Sequence, residues 1–129
     1  MIGLKWFKAQ TVLIQLYRNR VVIRNIDLGI TIDRTCSGKF SNPRMVLADF
    51  RVAEEFTRSL LREMSQKRFA PPMKVLVQPM ELVDGGISPV EQCSFNDFAQ
   101  HLGAKYVFLH LTQEPLSDQR VLELTRGKS

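Results

Sequence analysis

The sequence contains no long apolar run. None approaches the ~20 residues needed to cross a bilayer. The N-terminus, Met1-Ile2-Gly3-Leu4-Lys5-Trp6-Phe7-Lys8, lacks the apolar core of a secretory signal. Cysteine is scarce: Cys36 and Cys93 are the only two, far apart and in no paired motif, which fits free thiols in a reducing compartment better than a bridge. Cys36, Cys93, His101 and His110 offer no close Cys pair and no His-x₃₋₅-His spacing, so a zinc site has no framework here. Internal repeats and low-complexity segments are absent as well, which excludes a solenoid. The expected location is the cytoplasm.

What is present is one globular domain's worth of chain. It has 129 residues, 44% hydrophobic and 24% charged. That length buries roughly two-thirds of the unfolded surface and is too short for a two-domain enzyme with a cleft between lobes. The formal charge of +5 is uneven. Residues 1–74 hold 14 basic and 6 acidic side chains, whereas residues 75–129 hold 4 and 7. A basic front half suits nucleic acid, anionic lipid or an acidic partner, or is simply a solvated face.

Hydropathy patterning gives the elements. Thr11 to Tyr17 and Val21 to Ile26 are β-branched and aromatic runs split by Arg18-Asn19-Arg20, which reads as a hairpin; Ile30 to Thr35 supplies a third antiparallel strand. Residues 37–43, Ser-Gly-Lys-Phe-Ser-Asn-Pro, read as a loop. From Asp49, which can cap the first turn, the period becomes helical. Ala53, Phe56, Leu60 and Met64 line one face, Arg51, Glu55, Arg58 and Arg62 the other, and the helix should stop near Gln66. After Pro71-Pro72, Met73 to Gln78 is a short continuous apolar run, as expected of a strand covered on both faces. Ser88-Pro89-Val90-Glu91 is a capping box with proline at the first helical position. The helix it opens buries Phe95, Phe98, Ala99 and Leu102 and ends at Gly103. Tyr106 to Leu111 reads as a buried strand and Leu116 to Thr125 as a last short helix.

The order β-β-β-α-β-α-β-α specifies an α/β fold with a five-stranded mixed sheet and helices on its faces. The first three strands need only turns, and the later two need helical crossovers. This is the ribonuclease H-like plan. Residues 9–126 form the expected domain, with 1–8 an amphipathic N-terminal segment and 127–129 a tail.

Five segments carry a resemblance: Leu47-Ala48-Asp49-Phe50-Arg51-Val52-Ala53-Glu54, Lys74-Val75-Leu76-Val77-Gln78-Pro79, Ile87-Ser88-Pro89-Val90-Glu91, Leu102-Gly103-Ala104-Lys105-Tyr106-Val107-Phe108-Leu109 and Gln113-Glu114-Pro115. Their order resembles the N-terminal lobe of MreB-type bacterial actin homologues, over about residues 4 to 116. In size and layout the chain is also similar to a small stress-linked enterobacterial protein type, through Ser41-Asn42-Pro43-Arg44 and Asp84-Gly85-Gly86-Ile87-Ser88-Pro89-Val90-Glu91. The resemblance to the actin homologues implies an actin-like ATPase lobe, and three departures from it imply that the catalysis is lost. Where the family's first hairpin reads D-L-G-T, for phosphate and metal, this chain has Gln15-Leu16-Tyr17-Arg18. Where the family has a water-positioning acid stands Gln113. The second lobe is missing. The expectation is therefore no cofactor, no metal and no catalytic residue, and a protein acting by protein–protein interaction or self-association in cell shape, envelope or stress response.

Other readings of the residues remain open. A two-metal nuclease needs a carboxylate on the first strand, where Gln15 stands instead, and Glu114 and Asp118 read as loop and helix-start residues. Arg18, Arg20, Arg24, Lys39 and Arg44, with Tyr17 and Phe40, form a candidate basic face for nucleic acid or an anionic surface, or a guard against edge pairing. Ile2, Leu4, Trp6 and Phe7, beside Lys5 and Lys8, form a candidate contact with the inner-membrane surface, or fold over the sheet edge. Cys93 lies early in a capped helix, where it is either oxidant-sensitive or packing material.

Overall fold

A computed structural model describes residues 9–64, 72–81 and 86–126. The segments 1–8, 127–129 and Ile2, Leu4, Trp6 and Phe7 lie outside the described residues, as does Gln66. Strands β1 (Gln10–Tyr17), β2 (Arg20–Asn25) and β3 (Ile30–Thr35) form an antiparallel meander. Asn19 makes the first turn without glycine by adopting φ 52°, a left-handed conformation that asparagine tolerates better than most side chains. The second turn uses Gly29 at φ 67°, closed by the Asn25 carboxamide accepting from the Leu28 amide.

Helix α1 (Phe50–Met64) begins where the Asp49 carboxylate accepts from the Val52 amide. Its buried face is Ala53, Thr57, Leu60 and Met64. Thr57 therefore takes the central place that the sequence pattern gives to Phe56, which is only partly buried. The Thr57 hydroxyl is buried without a hydrogen-bond partner among the described residues. Strand β4 (Met73–Pro79) then inserts parallel to β1. Helix α2 (Pro89–His101) opens with the full capping box: Ser88 Oγ accepts from the Glu91 amide, and Glu91 reaches back to the Ser88 amide. Gly103, at φ 102°, lets the chain leave α2 for β5 (Ala104–Leu109), parallel to β4. Helix α3 (Asp118–Leu124), capped by Ser117, completes the described chain.

The sheet order is β3-β2-β1-β4-β5, with β1, β4 and β5 parallel. Alternation along the central strands divides the core. Val12, Ile14, Leu16, Val75 and Val77 pack with Phe95, Phe98, Ala53 and Leu60 beneath α1 and α2. Leu13 and Leu76 pack with Leu116 and Val121 beneath α3. The architecture is thus a mixed α/β fold with a five-stranded mixed sheet and three helices among the described residues. Lys105 is an extra residue in the β4–β5 ladder, since Met73 pairs with Ala104 but Lys74 with Tyr106, and this bulge leaves Lys105 exposed.

Candidate functional site

The connections leave β1 and β4 in opposite directions along the sheet, β1 to β2 on one side and β4 through α2 to β5 on the other. The carboxyl ends of these adjacent parallel strands are the place where an open α/β sheet ordinarily receives a ligand. Gln15 of β1 and Gln78 of β4 stand opposite each other there. Gln78 is fully buried, and its Nε2 donates to the carbonyls of Thr112 (2.9 Å) and Glu114 (2.8 Å). Two carbonyls can only accept, so the orientation of the amide is fixed, and its Oε1 is left to accept from Gln15 Nε2 at 2.9 Å. The Met80 amide donates to the Leu16 carbonyl and extends the ladder beyond β4. Among the described residues, neutral amides and backbone carbonyls surround the Gln15–Gln78 contact, and the Glu81 carboxylate accepts from the Arg18 amide (3.3 Å) at the end of β1.

Gln113 lies in the same segment but turns away from Gln15. Its Nε2 donates to the carbonyls of Pro79 (3.2 Å) and Leu111 (2.8 Å), so it ties the segment after β5 to the end of β4. Leu16 is wholly buried in the main core, and Gln15, Leu16 and Tyr17 belong to β1; only Arg18 and Asn19 make the turn. His110 Nε2 contacts both Glu114 Oε1 and Thr112 Oγ1 at 2.9 Å. A hydroxyl–histidine–acid relay needs the two partners on opposite ring nitrogens, and here both meet the same one. Among the described residues no group of three or more His, Cys, Asp or Glu side chains is arranged to hold a metal ion. Cys36 is buried and Cys93 exposed, both as free thiols.

The basic residues divide into two sets. Arg20 donates through Nε and Nη2 to both oxygens of Asp33, at 2.8 and 2.7 Å, and lies 4.4 Å from the centre of the Tyr17 ring. Arg24 donates to Asp118 Oδ1 and to the Leu116 carbonyl, both at 2.7 Å, and so anchors the start of α3. Arg18, Lys39 and Arg44 are exposed; the Arg18 amide donates to the Glu81 carboxylate (3.3 Å), and the charged side-chain ends of the three form no ion pair among the described residues. They share one end of the sheet because the loop after β3 is clasped to the first hairpin. The Asn19 amide donates to Ser41 Oγ (3.0 Å), and the Ser41 amide donates to Asn19 Oδ1 (2.8 Å). Asn42 continues the clasp by accepting from the amides of Arg44 and Met45. Phe40 is completely buried in this loop, so it cannot serve as a stacking platform beside the basic residues.

The Arg20 guanidinium, hydrogen-bonded to Asp33, holds that carboxyl below its usual range, and Asp33 in turn raises Arg20. A lowered folded-state pKa adds stability above the unfolded value of about 3.9, and that stability is lost as pH falls through the folded value. Both side chains are substantially exposed, so the contribution is under about 1 kcal/mol. In a carboxyl-detected NMR titration, Asp33 should titrate below an ordinary aspartate and move up toward the ordinary value in Arg20→Gln.

Sequence reasoning identified Gln15 but missed Gln78, whose position in an apolar strand suggested only packing. The signal for it was the single polar residue at the end of that run. No helix among the described residues is long and apolar enough to cross a membrane. No protein-family model matches the chain. The chain is 28% identical over 126 residues to the uncharacterized protein YjaA of Escherichia coli (strain K12), in an alignment covering 89% of this chain and 96% of that protein.

Proposed function

We propose that this chain is a non-catalytic, single-lobe relative of the MreB-type actin homologues, with a ribonuclease H-like fold, and that it works by binding other protein surfaces. The sheet order β3-β2-β1-β4-β5 supports the fold reading, as does the placement of α1 and α2 on one face and α3 on the other. The observation that carries the functional reading is the Gln15–Gln78 amide pair, closed over by the carbonyls of Thr112 and Glu114. A phosphate or divalent ion between the Gln15 and Gln78 side chains would meet, among the described residues, neutral amides and backbone carbonyls. Isothermal calorimetry with ATP and Mg²⁺ tests the reading. No saturable heat is expected, and a saturable heat overturns it.

A second reading has its own observation. Arg18, Lys39 and Arg44, gathered by the Asn19–Ser41 clasp with their charged side-chain ends in no ion pair among the described residues, suit an anionic surface such as nucleic acid or lipid. That reading requires retention of oligonucleotides or anionic vesicles at low salt and steep release as salt rises. Substituting Arg18, Lys39 and Arg44 together by glutamine should abolish such retention.

A further inference from the structure

We propose that the outer edge of β5, the last described strand of the sheet, pairs antiparallel with the β5 edge of a second copy of this chain, forming a two-fold dimer with one continuous ten-stranded sheet. The inference rests on the protein-binding reading above and names its partner and surface.

The two edges of the sheet differ. On β3, Asp33 and Arg34 are exposed and engaged in ion pairs with Arg20 and Glu63, and charges so placed discourage strand addition. On β5, the stretch from Val107 to Leu109 carries no charge, and its side chains are half-buried on both faces of the sheet. No described strand lies beyond it. The His110 amide donates to the Val77 carbonyl, so by alternation the backbone groups of Phe108 face β4 while those of Val107 and Leu109 face outward. Outward amides and carbonyls of this kind are satisfied by another extended strand.

Three considerations select a second copy as that strand. Antiparallel pairing about Phe108 sets Val107 of each copy opposite Leu109 of the other, so each outward donor meets an outward acceptor under an exact two-fold axis. Pairing β5 with the β3 edge of another copy would instead be head-to-tail and open-ended, and it would bring apolar residues against the ion pairs of β3. The charge pattern also fits. The bulged Lys105 sits at one end of the edge and the exposed Leu111 at the other, so each lysine comes to lie beside an apolar residue of the other copy and away from its own symmetry mate. Helix α2 packs chiefly on β5, and the two-fold axis therefore brings the α2 helices of both copies to the same face, where they add to the buried area.

Sedimentation equilibrium of the full chain from micromolar to sub-millimolar concentration tests the proposal. The mass should rise from 14.8 kDa toward twice that value. Leu111→Lys, at a surface position that leaves the core intact, places like charges opposite Lys105 twice per dimer and should weaken association about tenfold; Leu111→Glu should strengthen it. Val107→Pro removes an outward amide that no described strand pairs with, and should abolish the dimer while circular dichroism still reports a folded chain. A mass that stays at one chain throughout overturns the proposal. So does a dimer whose association constant is the same in all three variants. Either result leaves the calorimetric test of the non-catalytic reading untouched, so the two readings fail separately.

Discussion

Gln78→Glu should destabilise the fold by about 3–5 kcal/mol at neutral pH, the scale expected when a buried charge is left without compensation. In the parent, Gln78 gives two hydrogen bonds to the carbonyls of Thr112 and Glu114 and accepts one from Gln15. A carboxylate keeps only the last of these. It loses both donors, faces two carbonyl oxygens at hydrogen-bonding distance, and is wholly out of water. Protonation relieves the conflict, because a neutral acid can donate to one of the carbonyls. The folded-state pKa of this new group is therefore raised. The variant should be most stable below the unfolded glutamate value of about 4.3 and lose about 1.4 kcal/mol per pH unit as pH rises from there toward the folded value.

Urea melts followed by circular dichroism between acidic and neutral pH would show the trend. Gln15→Glu should show the same sign with a smaller effect, since Gln15 retains slight exposure and gives only one strong bond, to Gln78. Gln78→Met buries no charge, so its loss should be independent of pH. If Gln78→Glu and Gln78→Met were equally stable at neutral pH, the amide network would not be the determinant described here.

Phe40→Ala should cost about 3–5 kcal/mol, as expected for truncating a fully buried aromatic ring. The ring comes from a loop, and the size of the effect measures how far that loop belongs to the core. Its backbone carbonyl also accepts from the amides of Ala48 and Asp49, which deliver the chain to the start of α1. Losing the ring should therefore loosen the Asn19–Ser41 clasp and raise hydrogen exchange across residues 36–49. Neighbouring Lys39→Ala and Arg44→Ala, both at exposed positions, should change stability by no more than about 0.5 kcal/mol. A cost for Phe40→Ala as small as theirs would mean that the loop is not anchored as the structure describes.

These two residues also show where sequence patterning stops. The elements were legible because their signals are local. Ser88 and Glu91 are three residues apart, Asn19 sits inside its own turn, and the apolar strands announce their burial. The five-stranded mixed sheet followed from their order. Phe40 was not legible, because an aromatic among Gly, Lys, Ser and Asn looks like loop surface until the hairpin clasp turns it inward. Phe56 and Thr57 differ by one helical position, a rotation of about 100° that a pattern with a phenylalanine beside a threonine cannot resolve. Gln78 acquires its meaning from a cross-strand register with Gln15, 63 positions away. The basic face divided for the same reason: the partner that neutralises Arg24 is Asp118, 94 positions along the chain.

The central proposal is that the interlocked amides of Gln15 and Gln78 take up the space between β1 and β4, and that this domain works by binding. Side-chain amide NMR of Gln15 and Gln78 tests it most directly. Slowly exchanging Gln78 Nε2 protons, with resonances of both side chains unmoved by Mg²⁺ and ATP together, are the predicted result. Rapid exchange at Gln78, or a saturable shift of either side chain on adding Mg²⁺ and ATP, would contradict it.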